Sequence, residues 1–513
     1  MKTLFRLLLL GAILIFLSVH EMLAQTPAAG QPVASAAPLA LSLPQAVDYA
    51  LKHKSTLQAA RLEEQISDAK IQQVKAQGLP QINAQATVTD NYKLQKSLTD
   101  FGAFTAGQGV LSGATLTPDQ ITRVQNGETV TLTPTYTPAP ATGPQPLAFG
   151  LQWQGNAAFS GSQQLFDGSY LLGLKAAKVY KQLSVKQTQQ SETEVVEQVQ
   201  KAYYSTLVAG ERIQLLDRNL ERLRTLLGQT EQQFKTGVVE KLDVQRLQVQ
   251  LNNLTVERQN AQRLIEVSVA LLKFQMGLDQ RQPVQLTDKL DEAVLADARQ
   301  QLQQNSEEFN YGNRIEYAVL QTQRDLAALD VRNQRAGYLP KLSLVGQYGW
   351  VGSDKSLGGL TEFRGPGARS ELGFANQNWF NFGNVGLQLQ VPVFDGFRRR
   401  HLVQQAKLTV EQTTKQATTL QQSIDLERTQ TRTTLQNGLD LLTTQQANLD
   451  LATEVARVAK IKFQSGVGSN VELITAETDL RQAQTNYYAA LYDALVAKVE
   501  FQRANGSLYQ PQR

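Results

Sequence analysis

The side chains that carry most enzyme chemistry are scarce in this sequence of 513 residues, which has no cysteine and only three histidines, His20, His53 and His401. None has metal-ligand spacing, and no nucleophile motif or phosphate-cradling glycine loop accompanies them. His20 falls in an apolar leader, and His53 and His401 read as helix-surface residues. The pattern points away from catalysis and from any bound cofactor or metal. What recurs instead is Phe-Asp-Gly, at Phe166-Asp167-Gly168 and again at Phe394-Asp395-Gly396. Each copy follows a strand-like run and precedes a long helical one. An aspartate there can cap the helix, and a glycine can ease the turn into it.

The elements around these motifs start from a leader. Lys2 and Arg6 precede an apolar run from Leu7 to Val19 and a small residue, Ala24. This is the form of a secretory signal peptide, 1–24, too short for a membrane span. A flexible segment, 25–41, follows. No later stretch offers about 18 consecutive apolar residues, so a membrane crossing would have to use strands. The formal net charge is +4, and losing Lys2, Arg6 and Glu21 lowers it by one. So small a charge leaves no footprint for nucleic acid.

Three features recur in the same order. "AQGLPQI" (76–82) matches "AGYLPKL" (336–342), the two Phe-Asp-Gly copies match, and "QFKTGVVEKLDV" (233–244) matches "KFQSGVGSNVEL" (462–473). Gly237 lies 71 residues after Phe166, and Gly466 lies 72 after Phe394. Colinearity at nearly constant spacing predicts an internal duplication, 42–280 and 310–508, with a connecting equatorial segment 281–309 and a tail 509–513. The first repeat is longer because of 93–149, rich in Thr, Pro and Gly, which reads as an exposed loop. Its counterpart is 352–382.

Beside the repeated motifs, four segments alternate with period two. Leu151, Trp153, Ala157, Phe159 and Leu165 alternate with mostly polar neighbours, as do Ile82, Ala84, Ala86 and Val88. Leu342, Leu344, Tyr348 and Trp350 repeat the pattern, and so do Val385, Leu387, Leu389, Val391 and Val393. Each is a strand with one apolar and one uncharged polar face. Lengths near those that cross hydrocarbon, and aromatics toward the ends (Tyr92, Trp153, Phe166, Trp350, Phe382, Phe394), favour a membrane barrel over a soluble sheet. Four strands do not close a barrel, and lipid tolerates no open edge, so copies of the chain must supply the rest.

Between each Phe-Asp-Gly and its downstream glycine lies a helical pattern nearly free of Pro and Gly. Ile213, Leu216, Leu220, Leu223, Leu227 and Phe234 fall on alternating 3,4 spacing, resumed by Val244, Leu247, Leu251 and Leu254. The second half places Leu435, Leu439, Leu442, Leu449, Val455 and Val458 on the same seam. This is a coiled-coil pattern, and a helix of about 67 residues rises roughly 100 Å. Ser42-Leu43-Pro44-Gln45 reads as a capping box, starting a first helix that runs to about Gly78.

This order of parts, over nearly the whole mature chain and including "LLKFQMGLD" (271–279) and "ANGSL" (504–508), resembles the TolC-like outer-membrane efflux proteins. The resemblance implies a mixed α and β membrane protein, a homotrimer. Four transmembrane strands per chain would build a 12-stranded barrel, continuous with a helical coiled-coil tunnel through the periplasm. It implies an exit duct in the outer membrane for efflux or type I secretion. Its partners would be outer-membrane lipid, a periplasmic adaptor and an inner-membrane pump or secretion ATPase. The turns Thr236-Gly237-Val238 and Ser465-Gly466-Val467 match the adaptor-contacting tips. Glu472 matches an acidic gate position, Thr475 stands where a second Asp would be, and Asp243 matches Glu472 across the repeat. An acidic residue in a first turn is equally a helix-dipole feature. The competing function is a periplasmic coiled-coil adaptor or scaffold that conducts nothing. That reading accounts for the helical hairpins but not for four alternating strands with aromatic ends.

Overall fold

A computed structural model describes residues 38–99, 110–112, 115–132, 135–137, 145–148, 150–290, 293–304, 309–371 and 375–510. The leader 1–24, residues 25–37 and the last three of the tail lie outside the described residues. In chain order the elements of the first half are β1 (Leu39–Leu41), α1 (Leu43–His53), α2 (Ser55–Ala76), β2 (Gln81–Asp90), β3 (Lys96–Thr99), β4 (Val110–Ser112), α3 (Pro118–Gln125), β5 (Thr135–Thr137), β6 (Gln145–Ala148), β7 (Trp153–Phe166), α4 (Gly168–Lys235) and α5 (Lys241–Met276). Then come β8 (Val284–Leu286), α6 (Ala293–Gln304), α7 (Ile315–Ala336), β9 (Lys341–Asp354), α8 (Leu357–Thr361), β10 (Trp379–Gln390), α9 (Arg398–Gln464) and α10 (Asn470–Ala504). No helix among the described residues is long and apolar enough to cross a membrane. The chain divides into two compact units, one holding 78–166 and 341–390, the other most of the rest.

The first unit is an antiparallel sheet in the order β10-β9-β7-β2. Directly paired residues share a face, so the register sorts the four alternating patterns. One face carries the rows Val385–Gly346–Gly161–Ile82 and Gly383–Tyr348–Phe159–Ala84. The opposite face carries Asn384–Gln347–Ser160–Asn83. Near the end of β7 the register slips by one between Gln164 and Phe166, leaving Leu165 as a bulge. The slip brings Phe166, on the polar phase of its strand, opposite Leu342 on the apolar face. Apolar residues on that face stand in the open, Ile82 at 74% exposure and Val385 at 80%. The outer edges of β2 and β10 pair with no further strand among the described residues.

Three sequence expectations change here. The strand expected over 385–393 starts earlier and stops at Gln390, just before Pro392, which has no N–H to give a ladder. The expected loop 93–149 contains structure: β3 pairs with β6, β4 with β5, and α3 starts at a capping box. There Gln120 accepts from the Thr117 N–H at 3.0 Å, with Pro118 in the first turn. The counterpart 352–382 is trimmed at both ends by β9 and β10 and contains α8. Its Leu360 carbonyl accepts from the Trp379 indole at 3.0 Å, and the indole packs against Gly155 and Gly352, where side chains would collide with it.

The second unit is helical. Its core gathers where α1, α4, α5, α9 and α10 meet, around Tyr203, Leu207, Leu272, Leu435, Leu491, Leu495 and Phe501. Tyr203 is fully buried, and its hydroxyl lies 3.1 Å from the Leu41 carbonyl and 2.9 Å from Asp288 Oδ2. Asp288 also accepts from the Leu43 N–H at 2.8 Å. These bonds hold β1 parallel to β8, so Leu39–Leu41 is ordered strand at the end of a segment expected to be flexible. The expected connector 281–309 likewise contains β8 and α6.

The first helix begins at Ser42, where Gln45 Oε1 accepts from the cap N–H at 2.9 Å. It does not run unbroken to Gly78, because Lys54 takes an extended conformation between α1 and α2. Gly277 packs there against the backbone of His53 and Lys54, while Lys54 Nζ donates to the Phe274 carbonyl at 2.6 Å. A long-range contact thus sets a break that no local residue signals.

The long helices α4 and α9 have 68 and 67 residues. Leu216, Leu220, Leu227, Leu247 and Leu254 are buried on the expected seam, whereas Phe234 is 43% exposed. In α9 the seam runs through Leu435, Leu439 and Leu442, then Ala456, Ala459 and Phe463. Val455 and Val458 lie off it, exposed. The small alanines let α10 approach, with Leu473, Ala476 and Leu480 against them.

Candidate gate at the hairpin turns

Both hairpins turn by the same mechanism. At the end of α4 the Gly237 N–H donates to the Phe234 carbonyl and the Val238 N–H to the Gln233 carbonyl, both at 2.9 Å. At the end of α9 the Gly466 N–H donates to Phe463 and the Val467 N–H to Lys462, both at 3.1 Å. Each pair is a Schellman closure, which requires a left-handed residue after the C-cap. Gly237 at φ 78° and Gly466 at φ 75° supply it, following the C-caps Thr236 and Ser465. Val238 and Val467 are left exposed at the turns, at 71% and 81%.

Asp243 and Glu472 occupy equivalent places, the third residues of the returning helices. The positive end of the helix dipole favours a carboxylate there. Ser469 caps α10 by accepting from the Glu472 N–H at 3.1 Å. The Glu472 carboxylate accepts from Lys462 Nζ at 2.9 Å, across the turn from the last coil of α9. Both side chains are about half exposed. Asp243 is only loosely paired, 4.0 Å from Arg246. Thr475 donates back to the Val471 carbonyl at 2.9 Å, a bond within its own helix. Asn470, buried, donates to the Asp243 carbonyl at 3.4 Å and so brings the starts of α5 and α10 together. Glu472, Thr475, Asp479, Lys462 and Glu454 line one open groove between α9 and α10.

Further along the hairpins, polar links join α4 to α10. Arg222 pairs with Glu477 at 3.2 Å, and buried Asn219 donates to Gln484 at 3.0 Å. Near the end of α10 a denser network forms. Arg314, 5% exposed in its side chain, pairs with Glu316 at 3.1 Å and Glu427 at 2.9 Å, and donates to the Ala504 carbonyl at 3.0 Å. Arg503 pairs with buried Glu197 at 3.2 Å. Burial alone would push the Glu316 carboxyl up, but hydrogen bonding and charge from Arg314, with Arg503 behind, hold it below the usual carboxylate range. Sequence reasoning missed both sets, because most of their pairs join segments more than a hundred residues apart.

The two Phe-Asp-Gly junctions differ. Asp167 accepts from the Ser169 N–H at 2.7 Å and caps α4. Gly168 is the first residue of that helix rather than a turn residue, and its missing side chain leaves room for Ala336 and Leu339. In the second copy the helix waits two residues longer. Gly396 at φ 64° and Phe397 at φ 66° form a left-handed pair, and α9 starts at Arg398. Asp395 accepts from the Arg399 N–H at 3.2 Å. Among the described residues no group of His, Cys, Asp and Glu could hold a metal ion.

The model of the outer membrane efflux protein family matches two stretches, 152–278 and 312–507. The outer membrane protein TolC of Vibrio cholerae is 20% identical over 362 residues, 69% of this chain and 77% of that protein. The outer membrane protein VceC of Vibrio cholerae shares the fold with a TM-score of 0.61 at 15% identity, over 90% of this chain and 96% of VceC. The MtrE outer membrane channel of Neisseria gonorrhoeae gives 0.62 at 16% identity, over 95% and 96%. The CmeC outer membrane channel of Campylobacter jejuni gives 0.62 at 16%, over 91% and 86%. With a mixed α and β fold and family matches on both long hairpins, this chain belongs to the outer membrane efflux protein family, as a TolC-like efflux channel of the outer membrane that extends into the periplasm.

Proposed function

We propose that the chain is one third of a passive exit duct, with the energy for transport supplied by partners elsewhere. The observation that carries this reading is the four-stranded sheet, mostly apolar on one face apart from Asp90 and Asp354 at its end, mostly uncharged and polar on the other apart from Lys341, and unpaired at both edges among the described residues. Hydrocarbon accepts such a sheet only when it is closed, and small barrels need about eight strands. Three copies supply twelve, the number that the family resemblance implies. The polar face then lines water. Apolar residues left open along α5, among them Val249, Val256, Leu264, Val267 and Leu271, are covered by a neighbouring copy in a helical tunnel. The twin Schellman turns and the two stretches matched by the family model support an internal duplication.

In this reading Thr236-Gly237-Val238 and Ser465-Gly466-Val467 are the tips that meet a periplasmic adaptor, itself bound to an inner-membrane pump or secretion ATPase. Glu472, with Asp243 and Thr475 near it, forms the narrow gate, tempered by the Lys462 ammonium. Phe166 and Phe394 mark the inner rim of the membrane belt. Purification in detergent, mass measurement and single-channel recording in a planar bilayer test the core of the proposal. A trimer with stable conductance is expected, and a monomer that conducts nothing would overturn it in favour of a periplasmic scaffold.

A further inference from the structure

We infer that the start of α9 is a docking surface for anionic phospholipid headgroups of the leaflet that faces the periplasm. Val393, Phe394 and Phe397 are 93%, 77% and 59% exposed, and the two rings meet edge to face at 5.6 Å. Phe397 is the one non-glycine residue with positive φ among the described residues. A bulky residue held there is strained, and such strain persists where the outward placement of a side chain is useful.

Arg398, Arg399 and Arg400 fill the first three positions of the helix, whose first turn contains no acidic residue. Cations are disfavoured at that end by the helix dipole, so the run is not there to start the helix. The equivalent start of α4 uses Asp167 and Ser169 and has no arginine. Arg399 is answered by Asp395 at 3.7 Å and lies over the Tyr338 ring at 5.8 Å. Arg398 and Arg400 are exposed and have no carboxylate partner among the described residues. Guanidinium forks match phosphate oxygens, and aromatic rings settle among headgroups. The surface begins three residues beyond Gln390, the end of a strand with an apolar face. At no more than about 3.6 Å per residue, the seven residues from Gln390 to Phe397 span at most roughly 25 Å of chain. A membrane surface, rather than a soluble anion, explains why the basic and apolar groups stand side by side.

This inference rests on the membrane reading above, and one experiment separates the two. The full chain is reconstituted into nanodiscs of phosphatidylcholine and phosphatidylglycerol in equal parts, then stripped in detergent, and its retained lipids are counted by native mass spectrometry. The wild type is expected to retain phosphatidylglycerol preferentially. R398Q/R400Q should cut that preference by roughly 25-fold, since each of the two surface cations adds about fivefold to the affinity for an anionic leaflet. R398K/R400K should restore part of it, and conductance should stay unchanged in both. Insertion and conductance without a headgroup preference, or with one that R398Q/R400Q leaves intact, would overturn the docking surface alone. Failure to insert in any nanodisc would overturn the membrane reading and the docking surface with it.

Discussion

Lys462 and Glu472 close the second hairpin turn with an ion pair, Nζ to Oε1 at 2.9 Å, ten residues apart in sequence and on opposite helices. The carboxylate that best matches a gate position is therefore neutralised within its own chain. Removing the lysine frees one negative charge per copy, and removing the carboxylate frees one positive charge. K462M should raise the cation preference of the conduit and E472Q should lower it, read as opposite shifts of reversal potential in a salt gradient. Identical potentials in both variants would place Glu472 away from the conduction path.

The glycines that end helices in the left-handed conformation differ in what surrounds them. A methyl group at Gly466 meets nothing within 4 Å, so Gly466→Ala should cost only the backbone term, about 1–2 kcal/mol. At Gly277 the methyl would also sit 2.9 Å from the Lys54 Cα. Gly277→Ala should therefore lower the thermal midpoint in detergent more than Gly466→Ala does. The latter should instead speed hydrogen exchange around 463–470. Equal midpoints would contradict the packing assigned to Gly277.

Tyr203→Phe keeps the buried ring and removes the hydroxyl that serves Leu41 and Asp288. A buried carbonyl or carboxylate that loses its donor costs about 1–3 kcal/mol. The expected result is a lower thermal midpoint, with faster exchange at 39–41. A midpoint equal to that of the wild type would show that Leu43 alone satisfies Asp288.

The network at Glu316 fixes a pH dependence. Its folded carboxyl is held below the ordinary value of 4.5, so the unfolded chain binds the proton more readily. The stabilisation is fully present above that ordinary value and is lost as pH falls through the folded one. E316Q should lower stability at neutral pH and flatten the loss on acidification below about pH 4.5. Acid titrations of thermal midpoint that run parallel in both proteins would disprove the assignment.

Legibility from sequence followed the range of the interaction. Gly237, Gly466 and the Ser42–Gln45 box are read within a few residues of themselves, because caps and closures are local bonds. The four alternating runs are equally plain, since adjacent strand residues must point to opposite faces. The seam of α9 was legible through Leu449, which packs against the core, and then misplaced, because Val455 and Val458 are more apolar than Ala456 and Ala459. Close approach of α10 selected the smaller residues. The ribbons inside 93–149 were obscured by their Thr, Pro and Gly content, although Thr117-Pro118-Asp119-Gln120 announced a helix start.

By itself, then, the sequence determined the four long strands and the two long helical hairpins, their order, the turns between the long helices and the apolar face of each strand. These follow from backbone geometry and nearest-neighbour chemistry. Only the tertiary structure decided that Lys54 breaks the first helix, because the cause is Gly277, more than two hundred residues away. Only it brought Arg314 to Glu427 and Arg503 to Glu197. And only the pairing of β7 with β9 revealed the bulge at Leu165, which carries Phe166 from the polar phase of its strand to the apolar face, since register belongs to two strands together and to neither alone.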